Sequence, residues 1–240
     1  MVNTFQSRTE LLLGADSVER LRQSHVLVVG LGGVGGYAAE MLCRAGVGRL
    51  TIVDGDTVSV SNINRQLIAL QSTVGQPKTE LFEARFHEVN PDCDVTALNT
   101  FLRDEEMIEL LEGNKLDYVV DAIDTLSPKV FLLYHSHRLG IPVVSSMGSA
   151  GKLDPSQIQV ADISSSHTCP LAAMVRKKLH KLGVSDGFKA VFSTEKVRET
   201  AMIEEPSQNK RTIVGVISYM PAMFGCHCAA TVINDLVNNR

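Results

Sequence analysis

The sequence predicts an α/β fold: a mostly parallel, doubly wound sheet followed by a C-terminal extension carrying antiparallel strands. Three observations predict it. Short apolar runs, His25-Val-Leu-Val-Val-Gly30 and Arg49-Leu-Thr-Ile-Val-Asp54, read as buried parallel strands. Segments of helical periodicity alternate with such runs, the rhythm of a sheet covered by helices on both faces. The first run ends in Gly30-Leu31-Gly32-Gly33-Val34-Gly35, a glycine-rich turn placed to open a helix.

The elements follow in order. Residues 9–22 read as an amphipathic helix interrupted or capped near Gly14, and the strand 25–30 follows. Gly33 to Ala45 has helical spacing through Ala39, Leu42 and Ala45, before the second strand at 49–54. Residues 78–89 predict a helix and Val95–Leu98 a short strand. Residues 104–112 (DEEMIELLE) predict a helix whose acidic first turn suits the dipole. A strand over 116–122, a helix over 127–139 and a strand over 141–145 complete a Rossmann-like alternation. Beyond Gly151 the rhythm loosens. Strands are expected at 157–161 and 190–194, antiparallel to one another, with a basic helix at 171–181 between them. Residues 199–212 are polar and contain a proline, so a mobile loop is expected, and a last helix spans about 222–237.

The 240 residues suffice for a full core and predict one domain, with 1–150 as a nucleotide-binding core and 151–240 as an extension. Hydrophobic content of 44% and charge of 21% are ordinary for a soluble globular protein. No apolar run approaches the roughly 20 residues that span a bilayer. MVNTFQSRTE lacks the pattern of a secretory signal, so a cytoplasmic protein without membrane association is expected. Five cysteines at irregular spacing argue against a disulfide framework. No CxxC pair is present to hold a four-thiolate zinc, and Cys226 and Cys228 would lie about 200° apart on a helix. His135, His137 and His167 lack ligand spacing, and Met220 and Met223 are expected in the core. Charge is uneven. Residues 1–171 carry 13 Lys+Arg against 21 Asp+Glu (net −8), whereas residues 172–240 carry 10 against 6 (net +4). A basic third on an acidic body suits a polyanionic partner, although charge alone favours a solvated helix face.

The chemistry concentrates at the predicted carboxyl ends of the strands. Gly30, Gly32, Gly33 and Gly35 permit a tight turn and close backbone approach, and the following helix N-terminus offers amides to a phosphate. Asp54 closes the next strand 19 residues after Gly35, where a carboxylate can take ribose hydroxyls. That pattern alone does not separate NAD from ATP. Asp56, Asn62, Arg65 and Lys78 follow it closely. Adenylation needs positive charge on a triphosphate, because negative charge builds on the departing pyrophosphate. Arg65 supplies a fork and Lys78 a point charge. Asp124, in Asp121-Ala-Ile-Asp124 at the next strand end, is placed to hold Mg²⁺ through oxygen, while Asp121 would cap the turn.

GLGGVG, DGDTVSVSNINRQ, VGQPK and DAID together resemble the ThiF/MoeB family, relatives of the ubiquitin-activating enzymes. The resemblance implies that Asp54 holds ribose, that Asn62, Arg65 and Lys78 contact phosphates, and that Asp124 carries magnesium. It also implies a homodimer in which Arg8, in RTELLLG, reaches the triphosphate of the other subunit. Sulfur-carrier activators of the family typically carry a CxxC…CxxC zinc site that is absent here. Residues 148–163, CPLA at 169–172 and VFSTE at 191–195 look instead like the branch that dehydrates threonylcarbamoyladenosine in tRNA. That branch activates the carboxylate of the modified adenosine with ATP, after which a tethered nitrogen closes the ring. The basic residues Arg176, Lys177, Lys178, Lys181, Lys189, Lys196 and Arg198 would then face tRNA phosphates. Two departures stand out. Cys169 replaces the family's usual aspartate and is expected to be a small, partly buried residue, and the segment before VFSTE and the tail look short. The resemblance leaves open a monovalent cation (Na⁺ or K⁺) and a docking sulfur-transfer protein. Adenylation of a ubiquitin-like sulfur carrier is the alternative reading, and an NAD-dependent oxidoreductase or a non-catalytic nucleotide sensor lies further off.

Overall fold

The computed structural model describes residues 4–198, 201–203 and 213–238. Helices α1 (Ser7–Leu13) and α2 (Ala15–Gln23) part at Gly14, whose φ of +83° only glycine adopts without strain. The strands and helices β1 (His25–Val29), α3 (Gly35–Ala45), β2 (Arg49–Val53), α4 (Lys78–Val89) and β3 (Asp94–Leu98) form the first half of the sheet. The second half holds α5 (Asp104–Gly113), β4 (Tyr118–Asp121), α6 (Leu126–Arg138) and β5 (Val143–Ser146). The remaining elements are β6 (Ile158–Asp162), α7 (Pro170–His180), β7 (Lys189–Ser193), β8 (Met202–Ile203), β9 (Ile213–Val214) and α8 (Tyr219–Asn238).

The seven-stranded sheet runs β3-β2-β1-β4-β5-β7-β6 and is parallel except for the β6–β7 pair. The expected antiparallel strands are thus present, and β7 reaches its place by inserting between β5 and β6. β8 and β9 pair separately, so residues 202–203 are strand where a loop was expected. Residues 199–200 and 204–212 of that expected loop lie outside the described residues.

The strand sequences read as unbroken apolar runs because both faces are covered. Val26 and Val28 of β1 face the core layer under α3, α4 and α8, while Leu27 and Val29 face the layer under α5, α6 and α7. Helix α8 lies tightly on α3. A Cβ at Gly225 would stand 2.4 Å from the Val34 carbonyl oxygen, so the glycine lets the two backbones meet. Met220 is buried in that contact as expected, whereas Met223 is 37% exposed and no core residue, since it leans off the packed face. Between α3 and α4, the buried Glu40 carboxylate takes Arg44 and Arg85, each at 2.8 Å. This ties α4, and hence its first residue Lys78, to the helix that the glycine turn opens.

Candidate nucleotide site and family

Two directions of chain progression part between β1 and β4. That switch point is where an open α/β sheet leaves a crevice outside its carboxyl ends. The glycine turn lies here. Gly30, at φ +90°, passes so close to the β4 loop that a Cβ would meet the Ala122 carbonyl oxygen at 2.8 Å. A Cβ at Gly35 would lie 1.7 Å from the Gly30 carbonyl oxygen, and one at Gly36 would strike the Phe82 ring at 2.5 Å. At Gly33 the obstacle is Pro221 of α8, 2.9 Å away. Gly32 differs. Its nearest neighbour would be the Gln66 amide nitrogen at 3.8 Å, so this glycine leaves space above the start of α3. Four glycines let the chain fold tightly, and Gly32 keeps room for a ligand against helix amides.

Asp54 follows β2 and points into the same crevice. Its Oδ2 accepts the Leu31 amide at 2.6 Å and its Oδ1 the Asp56 amide at 2.8 Å. Burial raises the Asp54 pKa above its ordinary value, while Lys78 and the two amides pull the other way. The Lys78 ammonium lies 2.8 Å from Asp56 and 3.6 Å from Asp54, on a side chain only 4% exposed. The loop holding it is pinned twice, by the Val58 amide on the Gln76 carbonyl at 2.9 Å and the Lys78 amide on the Asp56 carbonyl at 3.1 Å. DGDT and GQPK, 22 residues apart at Asp56 and Lys78, therefore form one unit.

Asn62 caps its own short turn, its Oδ1 taking the Ser59 amide at 3.1 Å. Arg65, one turn on, donates to the Ser61 carbonyl at 2.8 Å and the Asn64 amide oxygen at 2.9 Å. Burial lowers the Arg65 pKa, and the negative charge of Asp124 opposes that shift. Asp124 itself is exposed at the rim.

Asp121 caps the turn as expected, accepting the Ile123 amide at 3.1 Å, but it has a second role that the sequence concealed. Its other oxygen meets Lys129 of α6 at 2.7 Å and Ser145 of β5 at 2.5 Å, with both charged side chains fully buried. Lys129 also donates to the Ile123 carbonyl at 3.0 Å, so one buried ion pair fixes the loop that presents Asp124. Gln66, buried beside Gly32, has an amide oxygen without a partner among the described residues.

The basic residues are scattered. Arg176 is spent on the Ser166 carbonyl at 2.7 Å, and Lys189 pairs with Asp235 at 2.5 Å at the far end of the sheet. Lys177, Lys178, Lys181, Lys196 and Arg198 are exposed. Cys169 is fully rather than partly buried (3% exposed), at the start of α7 and beside Gly148. Arg8 is exposed on α1, whose neighbour Gln6 fills the space over Gly46, at the sheet end opposite the glycine turn. A single chain therefore does not bring Arg8 to its own crevice.

Fold and crevice together define a class: an open α/β sheet with a glycine turn at its switch point and two cations and three carboxylates gathered beside it. The chain belongs to the ThiF family, whose model matches residues 6–239. It is 42% identical to the tRNA threonylcarbamoyladenosine dehydratase of Bacillus subtilis, across 97% of this chain and 94% of the relative. Among solved structures, the E. coli tRNA N6-threonylcarbamoyladenosine dehydratase in complex with ATP superposes with a TM-score of 0.87 at 34% identity, covering 95% of this chain and 92% of that one. The molybdopterin-synthase adenylyltransferase of Salmonella typhimurium is 40% identical over only 58% of this chain and 56% of its own. The chain is thus an ATP-using enzyme of this family, and its second half aligns with the dehydratases.

Proposed function

We propose that this protein dehydrates N6-threonylcarbamoyladenosine in tRNA to its cyclic form at the expense of ATP. The observation that carries the reading is the joined unit of Asp54, Asp56 and Lys78 facing Arg65 and Asp124 around the open Gly32 turn. In this reading the threonyl carboxylate oxygen attacks the α-phosphorus and pyrophosphate leaves. The urea-like nitrogen, tethered to the same adenosine, then attacks the acyl carbon. AMP departs, the nitrogen gives up its proton, and the nucleoside has lost one water. The tether supplies the high effective molarity that a bimolecular attack would lack, so no enzyme nucleophile is required.

Each residue has an assigned part. Gly30, Gly32, Gly33 and Gly35 shape the phosphate turn, Asp54 takes the ribose, Asp56 sets Lys78, and Asn62, Arg65 and Lys78 hold the phosphates. Asp124 would hold Mg²⁺, which neutralises phosphate charge when bound. A homodimer would bring Arg8 to the partner's triphosphate. Leu11 and Leu12, 70% and 82% exposed on the same helix α1, are the kind of apolar surface such contact covers. Residues 151–240 would face tRNA, with Lys177, Lys178, Lys181, Lys196 and Arg198 as its phosphate contacts. No described helix is long and apolar enough to cross a membrane.

The test is ATP with tRNA bearing the modified adenosine. AMP, pyrophosphate and a nucleoside lighter by one water are expected by mass spectrometry. An unchanged nucleoside mass, or pyrophosphate exchange that requires a small Gly-Gly-terminated protein instead, would overturn the proposal.

A further inference from the structure

At the sheet end opposite the glycine turn, the starts of β1, β2, β3 and β4 and the end of α2 enclose a cavity of about 670 Å³. Arg20, Arg22, Arg49 and Lys115 line it, all exposed, against only two carboxylates, Asp94 and Asp117. Both acids are occupied. Asp117 accepts the His25 amide at 2.8 Å and Asp94 accepts Arg49 at 3.0 Å. The guanidiniums are held in place beforehand: Arg20 donates to Ser17 Oγ at 3.0 Å and to the Val237 carbonyl at 2.7 Å, and Arg22 pairs with Glu19 at 2.8 Å. Gly48 forms part of the lining because a Cβ there would lie 1.7 Å from the Arg22 carbonyl oxygen.

His25 also lines this cavity and is only 5% exposed. Its Nε2 meets Thr51 Oγ1 at 2.8 Å, but its Nδ1 is buried and makes no well-formed hydrogen bond among the described residues, with the Lys115 backbone the group that approaches the ring. A buried polar atom left unpaired is costly, and native chains retain few of them. Burial and then the charge of Arg49 lower the His25 pKa, while the Lys115 backbone and the charges of Asp117 and Asp94 pull the other way. Excess cations, fixed forks and an unpaired buried ring nitrogen converge on one space.

We propose that this cavity is a second anion site of the chain, taking a phosphate group, separate from the nucleotide crevice. Forked guanidiniums match phosphate oxygens, and the space is of the size that ligands of nucleotide scale occupy. The phosphate can come from a free compound or from the backbone of a bound RNA. The chemistry recognised is the same, and the site holds whichever reaction the other end catalyses.

The test uses the full chain with ¹⁵N-labelled histidine and its nucleotide crevice saturated with a non-hydrolysable ATP analogue, and with AMP in a parallel sample, so that the pyrophosphate positions of the crevice are filled in the first. Inorganic pyrophosphate should move the His25 ring resonances saturably, with one site per chain by calorimetry. The double variant Arg49→Gln, Lys115→Gln should bind it at least tenfold more weakly while AMP affinity and melting temperature hold. A short RNA stem-loop that moves the same resonances and competes with pyrophosphate identifies the RNA backbone as a source. A stem-loop that leaves them unmoved while pyrophosphate moves them identifies a free phosphate compound. Silence of His25 toward both probes, or undiminished pyrophosphate binding in the double variant, overturns the site.

Discussion

Replacing Lys78 by methionine separates what the residue does for the fold from what it does for the reaction. The Asp56 partner is 56% exposed, so that contact is worth roughly 0.2–1 kcal/mol. The Asp54 partner is nearly buried, and deleting one member of a fully buried pair costs about 3–5 kcal/mol. Here the separation is 3.6 Å and Asp54 keeps two amide donors, so the cost falls below that range. A total near 2 kcal/mol, at about 2–4 °C per kcal/mol for a chain of this size, lowers the melting temperature by roughly 4–8 °C. If Lys78 also meets charge developing on pyrophosphate, turnover falls by about 10²–10³, which corresponds to roughly 3–4 kcal/mol. Calorimetric melting and single-turnover AMP release on the modified tRNA read the two effects separately. Turnover within threefold of wild type in a folded variant would show that the triphosphate lies elsewhere. A collapse of melting by 15 °C or more would show that Lys78 is chiefly structural.

Asp124→Asn should raise the Mg²⁺ concentration for half-maximal turnover at least tenfold with melting unchanged, and an unaltered Mg²⁺ titration would remove Asp124 from the metal. Arg8→Ala and Arg65→Ala should each be nearly inactive alone, yet mixing and re-associating the two should restore part of the activity through heterodimers. Absence of any recovery, with heterodimers verified by mass, would refute action across subunits. Asp54 titrates in a direction that is testable. Its carboxyl holds a proton more tightly folded than unfolded, so its stabilising contribution is complete below the ordinary value of 3.8 and is lost as pH rises through the higher folded value. Asp54→Asn should therefore gain stability relative to wild type across that window, as followed by melting temperature against pH; a parallel pair of profiles would contradict the shift.

Much of the fold was legible because local signals agreed with the packing. Pro77 sets the start of α4 at Lys78, Gly14 breaks the first helix, and the apolar runs at 25–29 and 49–53 form strands buried on both faces. What escaped was non-local. That β7 slips between β5 and β6 depends on pairing partners 27 to 45 residues distant, which no window of sequence displays. Two-residue strands such as β8 and β9 have no periodicity to detect. Helix α8 starts at Tyr219, ahead of the expected 222, because Pro221 fits a first helical turn as readily as a boundary. In the site, carboxylates and cations were visible but their partners were not. Nothing in the sequence marks Lys129 as buried against Asp121, and Lys189, expected to face tRNA phosphates, is taken instead by Asp235, 46 residues on.

The proposed roles also bear on how the crevice can hold two cations before any phosphate arrives. Each is already balanced by a carboxylate: Lys78 by Asp54 and Asp56, and Arg65 by the charge of Asp124. Binding is then an exchange of partners rather than the filling of a charged void. Under the proposed roles, phosphates that drew Lys78 away would release Asp54 toward ribose hydroxyls, and a metal held by Asp124 would leave Arg65 to the same phosphates. Because the two exchanges converge on one triphosphate, a ligand with three phosphates and a metal completes both, at little net desolvation cost for the cations. A dinucleotide with a single pyrophosphate and no metal completes only one, leaving Arg65 facing Asp124. On this argument the discrimination of ATP from NAD lies less in the glycine turn, which serves either, than in the pairing of each cation with its carboxylate.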